Sequence, residues 1–314
     1  MTSYKYLFGP LASRRLGMSL GVDLVPHKIC NFNCVYCECG ETTDLTTERR
    51  EYIPIFRVLD ELKDFFKTRP EVDYITFSGA GEPLLNKGIG GVVNFIKQNY
   101  PGYKTALLTN SAFLVKPEVR AEIMALDLIV PSLDAITKSV YQKINRCDLS
   151  QTPDPISIIE SLVSFRQEFK GQMWLEIFIV PGVNDSLQEL DLLSKAAERI
   201  KPDKVQINGL DRPGTEDWVR PMLPEEAKRV ISFFKRVPVE LVTKPKGRGV
   251  ESGENIDRIS KITALISRRP STLEDISHTL GLSENETSDI MDALIENGSV
   301  TFTTEERGVF FRLP

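Results

Sequence analysis

The sequence predicts an α/β fold: a partial, open (β/α)6 barrel followed by a small C-terminal helical module. Three observations predict it. Six apolar, strand-like runs alternate with six amphipathic helical patterns between residue 18 and about residue 242. Most of those strand runs are apolar on both faces, as strands of a parallel sheet sandwiched by helices must be. Past residue 243 the composition changes and a second pattern begins.

Ser19 to Val25 opens the series. Leu20, Val22 and Leu24 alternate with Ser19, Gly21 and Asp23, the signature of a half-buried strand. The later strands read as VDYITFSG (72–79), KTALLTN (104–110), DLIVPSLD (127–134), MWLEIFIV (173–180) and DKVQING (203–209). Helical periodicity falls at 54–68, 89–99, 117–125, 156–169, 187–200 and 224–236. About eight such units would close a full barrel, so six leave it open. Sheets of this kind present ligands at the carboxyl ends of their strands, and the chemistry is sought there.

The barrel is therefore assigned to 1–242. TKPKGRGVESGE (243–254), with three glycines and one proline, is a linker or else a terminal lid strand with a tail. Residues 255–314 form a separate module. Ile256, Ile259, Ile262, Leu265 and Ile266 make one helical face. Ser271 with Glu274 is a capping box opening a short helix that ends at Gly281. Ser283 with Glu286 opens a third helix, 284–297, closed by Gly298. VTF and VFFRL then flank TTEERG as a β-hairpin. Three helices and a hairpin make a winged helix-turn-helix. Strand alternation points Val300, Phe302, Val309 and Phe311 inward and Phe310 outward, toward a contact with the barrel.

Composition narrows the function. The 314 residues are 41% hydrophobic and 26% charged, which excludes disorder and supports a sizeable core. No apolar run approaches the roughly 20 residues of a membrane helix. The start, MTSYKYLFGP, lacks the pattern of a secretory leader. A formal net charge of −5 argues against a general nucleic-acid binder. Five cysteines, an odd and clustered set, do not read as a disulfide framework. They read as a metal or cluster site in a reducing compartment, which predicts a cytoplasmic protein.

The cluster is Cys30-Asn-Phe-Asn-Cys34-Val-Tyr-Cys37, just past the first strand. Three thiolates at these spacings can hold three irons of a [4Fe–4S] cluster and leave the fourth iron open for a ligand. A zinc site that adds His27 or Cys39 is the competing reading. Zinc motifs usually separate two ligand pairs by a longer loop, whereas all candidates here share one short segment. Purely structural cysteines suit a core strand better than this polar stretch. Cys39 and Cys147 are expected to be dispensable for the cluster, with Cys147 a buried thiol or, as the alternative, a substrate-side hydrogen donor.

CxxxCxxC after a first strand, with Tyr36 just before the last cysteine, resembles the radical S-adenosylmethionine superfamily, over residues 8 to 242 or so. The resemblance implies a [4Fe–4S] cluster on Cys30, Cys34 and Cys37. It also implies S-adenosylmethionine as cofactor, cleaved by one electron to a 5′-deoxyadenosyl radical that takes hydrogen from a substrate. Ser78-Gly79-Ala80-Gly81-Glu82-Pro83 resembles the family's glycine-rich segment, with Glu82 receiving the cofactor's amino group and Ala80 in place of the commoner glycine. Asn110, after the third strand, and Ser132 and Asp134, after the fourth, resemble positions that contact ribose and carboxylate; helix N-capping is the alternative for each. Val180-Pro181-Gly182-Val183-Asn184 resembles the segment lining the adenine.

The N-terminal run FGPLASRRLGMSLGVDLVPHKIC resembles the group that contains wyosine base synthases. Those enzymes use further cysteines upstream of the motif for pyruvate chemistry. None precedes Cys30 here, which argues against carrying that activity over. Arg14 and Arg15 are candidates to face phosphate or carboxylate, or else a solvated pair. Glu176, Gln206, Asn208 and Arg212 are candidate substrate contacts on late strands, set against plain hydrogen bonding inside the barrel.

Between 255 and 314 there are six basic and ten acidic residues. The third helix carries Glu284, Glu286, Asp289, Asp292 and Glu296 and no Lys or Arg, so a phosphate backbone would be repelled. This argues against DNA as partner and against a redox-sensing regulator, the alternative functional class. The expected partners are a small-molecule or peptide substrate and an electron donor such as ferredoxin or flavodoxin, with no membrane.

Overall fold

The computed structural model describes residues 4–243, 255–305 and 308–314. In chain order the barrel's strands are β1 (Leu7–Ser13), β2 (Gly17–Val22), β3 (Ile29–Cys30), β4 (Asp44–Leu45), β5 (Tyr74–Phe77), β6 (Lys104–Thr109), β7 (Leu128–Pro131), β8 (Gln172–Phe178), β9 (Lys204–Asn208) and β10 (Val239–Leu241). Its helices are α1 (Ile55–Phe66), α2 (Ile89–Asn99), α3 (Pro117–Glu122), α4 (Lys138–Asn145), α5 (Pro155–Glu168), α6 (Leu187–Ile200) and α7 (Pro224–Ile231).

One eight-stranded sheet carries the barrel in the order β1-β2-β5-β6-β7-β8-β9-β10. From β2 to β10 every pairing is parallel and follows the chain. Six strand-helix units, from β2 with α1 to β9 with α7, match the expected number. The strand β10 adds to them. The sequence reading also missed β1, which pairs antiparallel with β2 at one edge. Gly9 at φ 99° before Pro10, and a register shift between Phe8 and Leu11, interrupt its alternation. Arg14 and Arg15 therefore lie in the turn between two strands rather than ahead of the first one.

The faces follow from side-chain alternation. Leu107 and Ile129 join the core that includes Leu62 of α1, Val92 of α2 and Phe165 of α5. Ala106, Leu128 and Val130 point the other way, where Leu16 from the β1–β2 turn packs on them. Capping fixes where the helices begin. Asp154 accepts from Ser157 N (2.9 Å) at α5, and Ser186 accepts from Glu189 N (3.2 Å) at α6.

The C-terminal module runs α8 (Asn255–Ile266), β11 (Ser271–Thr272), α9 (Leu273–Leu280), α10 (Glu284–Glu296), β12 (Thr301–Glu305) and β13 (Gly308–Arg312). Its strands form an antiparallel sheet in the order β11-β13-β12. Ile262, Leu265, Ile266, Ile276, Met291 and Leu294 make the core. Ile259, expected on that face, is exposed, and the side chain of Ile256 and residues 244–254 of the linker lie outside the described residues. The capping box of α9 is Thr272 with Asp275, one residue later than read from sequence. The hairpin corrects a second expectation. Phe302 on the edge strand β12 and Val309 on β13, both expected inside, are 51% and 39% exposed, while Phe310, expected outside, is buried.

The module meets the barrel along β1. Leu11 packs against the module's core, and the Arg268 guanidinium lies 4.4 Å from the centroid of the Phe8 ring. Arg212, beyond β9, pairs with Asp275 of α9 at 3.3 Å. These contacts cover the sheet edge that β1 would otherwise expose. Among the described residues no helix is long and apolar enough to cross a membrane.

Candidate active site

After β2 the chain leaves the sheet and pairs β3 with β4, which places Cys30 beside the carboxyl ends of the barrel strands. Tight turns follow, with Cys37 N donating to Cys34 O (3.1 Å) and Gly40 N to Cys37 O (3.1 Å). The loop is tied to the barrel through Asn33 N to Asn145 O (3.0 Å) and Val35 N to Ile144 O (2.9 Å). On its other side the glycine-rich loop presses close. A Cβ on Gly81 would sit 1.8 Å from Ile29 O, and one on Gly79 would sit 2.2 Å from the Asp23 carboxylate. Glycine at 81 lets two backbone segments touch, and glycine at 79 leaves room for the Asp23 side chain.

Each of the three motif sulfurs faces a nitrogen donor from a different part of the chain. Asn110 Nδ2, after β6, lies 3.8 Å from Cys30 Sγ. Asn145 Nδ2, at the end of α4, lies 3.4 Å from Cys34 Sγ. Lys28 Nζ lies 2.8 Å from Cys37 Sγ. Cys39 behaves in the opposite sense: its thiol donates to Gly79 O at 3.8 Å. The electrostatics set Cys37 apart from the other three cysteines of the loop. The hydrogen bond from the Cys39 side chain, with the Lys28 ammonium, lowers the Cys37 thiol to about 5 against the effect of burial. Its bond to Cys37 and burial hold the Cys39 thiol well above the usual range. Burial, then the Glu82 charge, pushes Cys30 up to about 12, and burial raises Cys34. Lys28 stays above its ordinary value; burial opposes this, but the sulfurs of Cys37, Cys30 and Cys39 favour the cation.

The donor set is three cysteine sulfurs of one short loop, each with its own nitrogen donor, and residues of this kind would suit a [4Fe–4S] cluster, whose thiolates each bind a different iron. The buried Asn31 Nδ2 also lacks a partner, next in sequence to Cys30.

Glu82 is buried under this loop. Its oxygens accept from Thr109 Oγ1 (2.7 Å), Asn110 N (2.9 Å) and Leu84 N (3.0 Å). Burial outweighs these bonds and raises its carboxyl to about 7. Three of about four acceptor positions are thus taken within the protein. Asp134 is buried as well, and accepts from Tyr36 Oη (2.7 Å), Asn145 Nδ2 (2.9 Å) and Phe178 N (2.9 Å). Burial lifts it to about 6. The Tyr36 ring stacks on Phe178 with centroids 3.7 Å apart. Ala80 is buried, with its N–H 3.4 Å from Asp23 Oδ2.

The remaining candidates make the following contacts. Ser132 Oγ donates to Glu176 (3.1 Å), as does Asn208 Nδ2 (3.3 Å), and Arg15 makes an ion pair with the same carboxylate. Gln206 turns to Glu240 instead (2.6 Å). Arg14 and Arg212 share Glu38 and Asp211 at 3.3 to 3.7 Å. Asn184 is fully buried and holds its loop, accepting from Val180 N and donating to Phe178 O and Asp134 O. Cys147 is buried in the core, and burial raises its thiol. Sequence reasoning missed Lys28, Asn31 and Asn145. The signal was a short run of amides and one lysine flanking the cysteines or ending a helix.

A family model described as the Radical SAM superfamily matches residues 24–193. That match spans more than half of the chain, and it coincides with the cysteine loop and the strands around it: the chain belongs to the radical SAM superfamily. Within it, the chain is 32% identical to a UPF0026 protein of Helicobacter pylori strain J99 over 86% of each chain. It is 33% identical to a Brachyspira hyodysenteriae protein named GTPase Obg over 94% of this chain, and spans 43% of that protein's length. A radical SAM methyltransferase from Sphaerobacter thermophilus shares the fold, with TM-score 0.54 and 16% identity over 71% of this chain and 65% of the other.

Proposed function

We propose that this protein is a radical enzyme that holds one [4Fe–4S] cluster on Cys30, Cys34 and Cys37 and uses S-adenosylmethionine to take hydrogen from a small-molecule or peptide substrate. One observation carries the reading: these three sulfurs, and not Cys39, are each met by an N–H donor. Together the bound cluster and S-adenosylmethionine supply one-electron cleavage of a sulfonium bond. The protein's own groups do the positioning. Asn110, Asn145 and Lys28 orient the sulfurs, and Asp134 braces Tyr36 and Asn145. Glu82 fixes Thr109 and Asn110, and one remaining acceptor position suits it to an ammonium. Tyr36, Gly79, Ala80, Gly81, Ser132 and Asp134 complete the proposed cofactor contacts.

The C-terminal module, by its helix-strand-helix-helix-hairpin order, fits a winged helix whose task is to cover the barrel edge and keep water out. Its α10 carries no basic side chain, which argues against DNA. A cytoplasmic ferredoxin or flavodoxin fits as electron donor. The test is anaerobic incubation of the reconstituted protein with S-adenosylmethionine and dithionite. Formation of 5′-deoxyadenosine supports the enzyme; its absence, with a promoter-specific gel shift, would favour a regulator.

A further inference from the structure

Lys28 is only 2% exposed and stands two residues before Cys30. An ammonium withdrawn from water costs several kcal/mol unless a negative group meets it. Among the described residues Lys28 makes no ion pair with a carboxylate. Its Nζ donates to Cys37 Sγ (2.8 Å) and to the Gly40 carbonyl (2.5 Å). A carbonyl carries no net charge, so the sulfurs are what balance the cation.

We propose that Lys28 is a positioning residue that raises the reduction potential of the cluster, by holding a positive charge and an N–H···S hydrogen bond against Cys37. This rests on the cofactor reading above. Reduction adds an electron to a buried, negatively charged group, and a cation in contact with it stabilises the reduced state most. Hydrogen bonds to cluster sulfurs act in the same direction. The other two donors, Asn110 and Asn145, are neutral and stand farther from their sulfurs, at 3.8 and 3.4 Å. The buried carboxylates Glu82 and Asp134 act on Cys30 and Cys34 in the opposite sense. Lys28 is thus the group that offsets them, and it decides how strong an electron donor the enzyme requires.

The experiment is a redox titration of the anaerobically reconstituted full-length protein, followed by electron paramagnetic resonance, on wild type, Lys28→Met, Lys28→Gln and Lys28→Arg. The midpoint is expected to move to more negative potential in Lys28→Met and Lys28→Gln and to stay near wild type in Lys28→Arg. An unchanged midpoint in Lys28→Met overturns the proposal. So does a pair of neutral variants that bind no iron while wild type does, since Lys28 would then serve assembly. Wild type that binds no iron overturns the cofactor reading itself, and this proposal with it.

Discussion

Asn145 joins the proposed cluster loop to the barrel: its Nδ2 lies 3.4 Å from Cys34 Sγ and 2.9 Å from Asp134 Oδ2. One amide thus serves a proposed ligand and a carboxylate that also holds Tyr36. Asn145→Ala leaves that buried carboxylate short of one donor, a loss of roughly 1–3 kcal/mol. The variant is expected to lose its visible cluster absorbance faster than wild type under a chelator. Equal half-lives would show that Cys34 does not depend on Asn145.

Glu82 predicts a pH dependence of stability. Its carboxyl is raised from an ordinary 4.5 to about 7 by burial, so the folded state disfavours its ionised form. The contribution is therefore fully present below about 4.5 and lost as pH rises through about 7. The differential is on the order of 3 kcal/mol across that window. Glu82→Gln should flatten the dependence of melting temperature between these limits relative to wild type. Parallel curves for the two proteins would show that Glu82 is ionised at little cost.

Gly81 has no room for a side chain, because a Cβ would sit 1.8 Å from Ile29 O. Gly81→Ala must move the backbone that leads to Cys30, and overpacking of this kind costs about 1–3 kcal/mol. Gly102, where a Cβ would meet nothing within 4 Å, is the control. Thermal melts should show a clear loss for Gly81→Ala and a change of less than about 0.5 kcal/mol for Gly102→Ala.

Leu11, Phe8 and Arg212 predict that the C-terminal module stabilises the barrel. Removing 255–314 uncovers Leu11 and leaves Arg212 without Asp275. The truncated barrel is expected to melt at a lower temperature and still to take up iron. A truncation as stable as the whole chain would make the module a tethered accessory.

Long, strongly periodic elements were legible in the sequence. The helices expected at 89–99 and 187–200 have those bounds, set by apolar spacing and, for the second, by the Ser186 cap. β1 was not legible, since Gly9-Pro10 and a bulge break its alternation. Nor was α4, a short polar helix with few apolar positions. The hairpin shows how little separates success from failure. β12 is an edge strand, so the face that alternation assigned inward is left uncovered at Phe302. In the site, residue types with singular chemistry stood out: the cysteines and Glu82. Lys28 and Asn145 did not, because only the fold brings residues 28 and 145 to the sulfurs of residues 37 and 34.

The most direct test of the whole account is iron and sulfide content after anaerobic reconstitution of wild type, the Cys30→Ala/Cys34→Ala/Cys37→Ala variant, Cys39→Ala and Cys147→Ser. The account predicts about four irons and four sulfides per chain in wild type, Cys39→Ala and Cys147→Ser, and neither in the triple variant. A triple variant that keeps its iron and sulfide, or a wild type that takes up stoichiometric zinc instead, would contradict it.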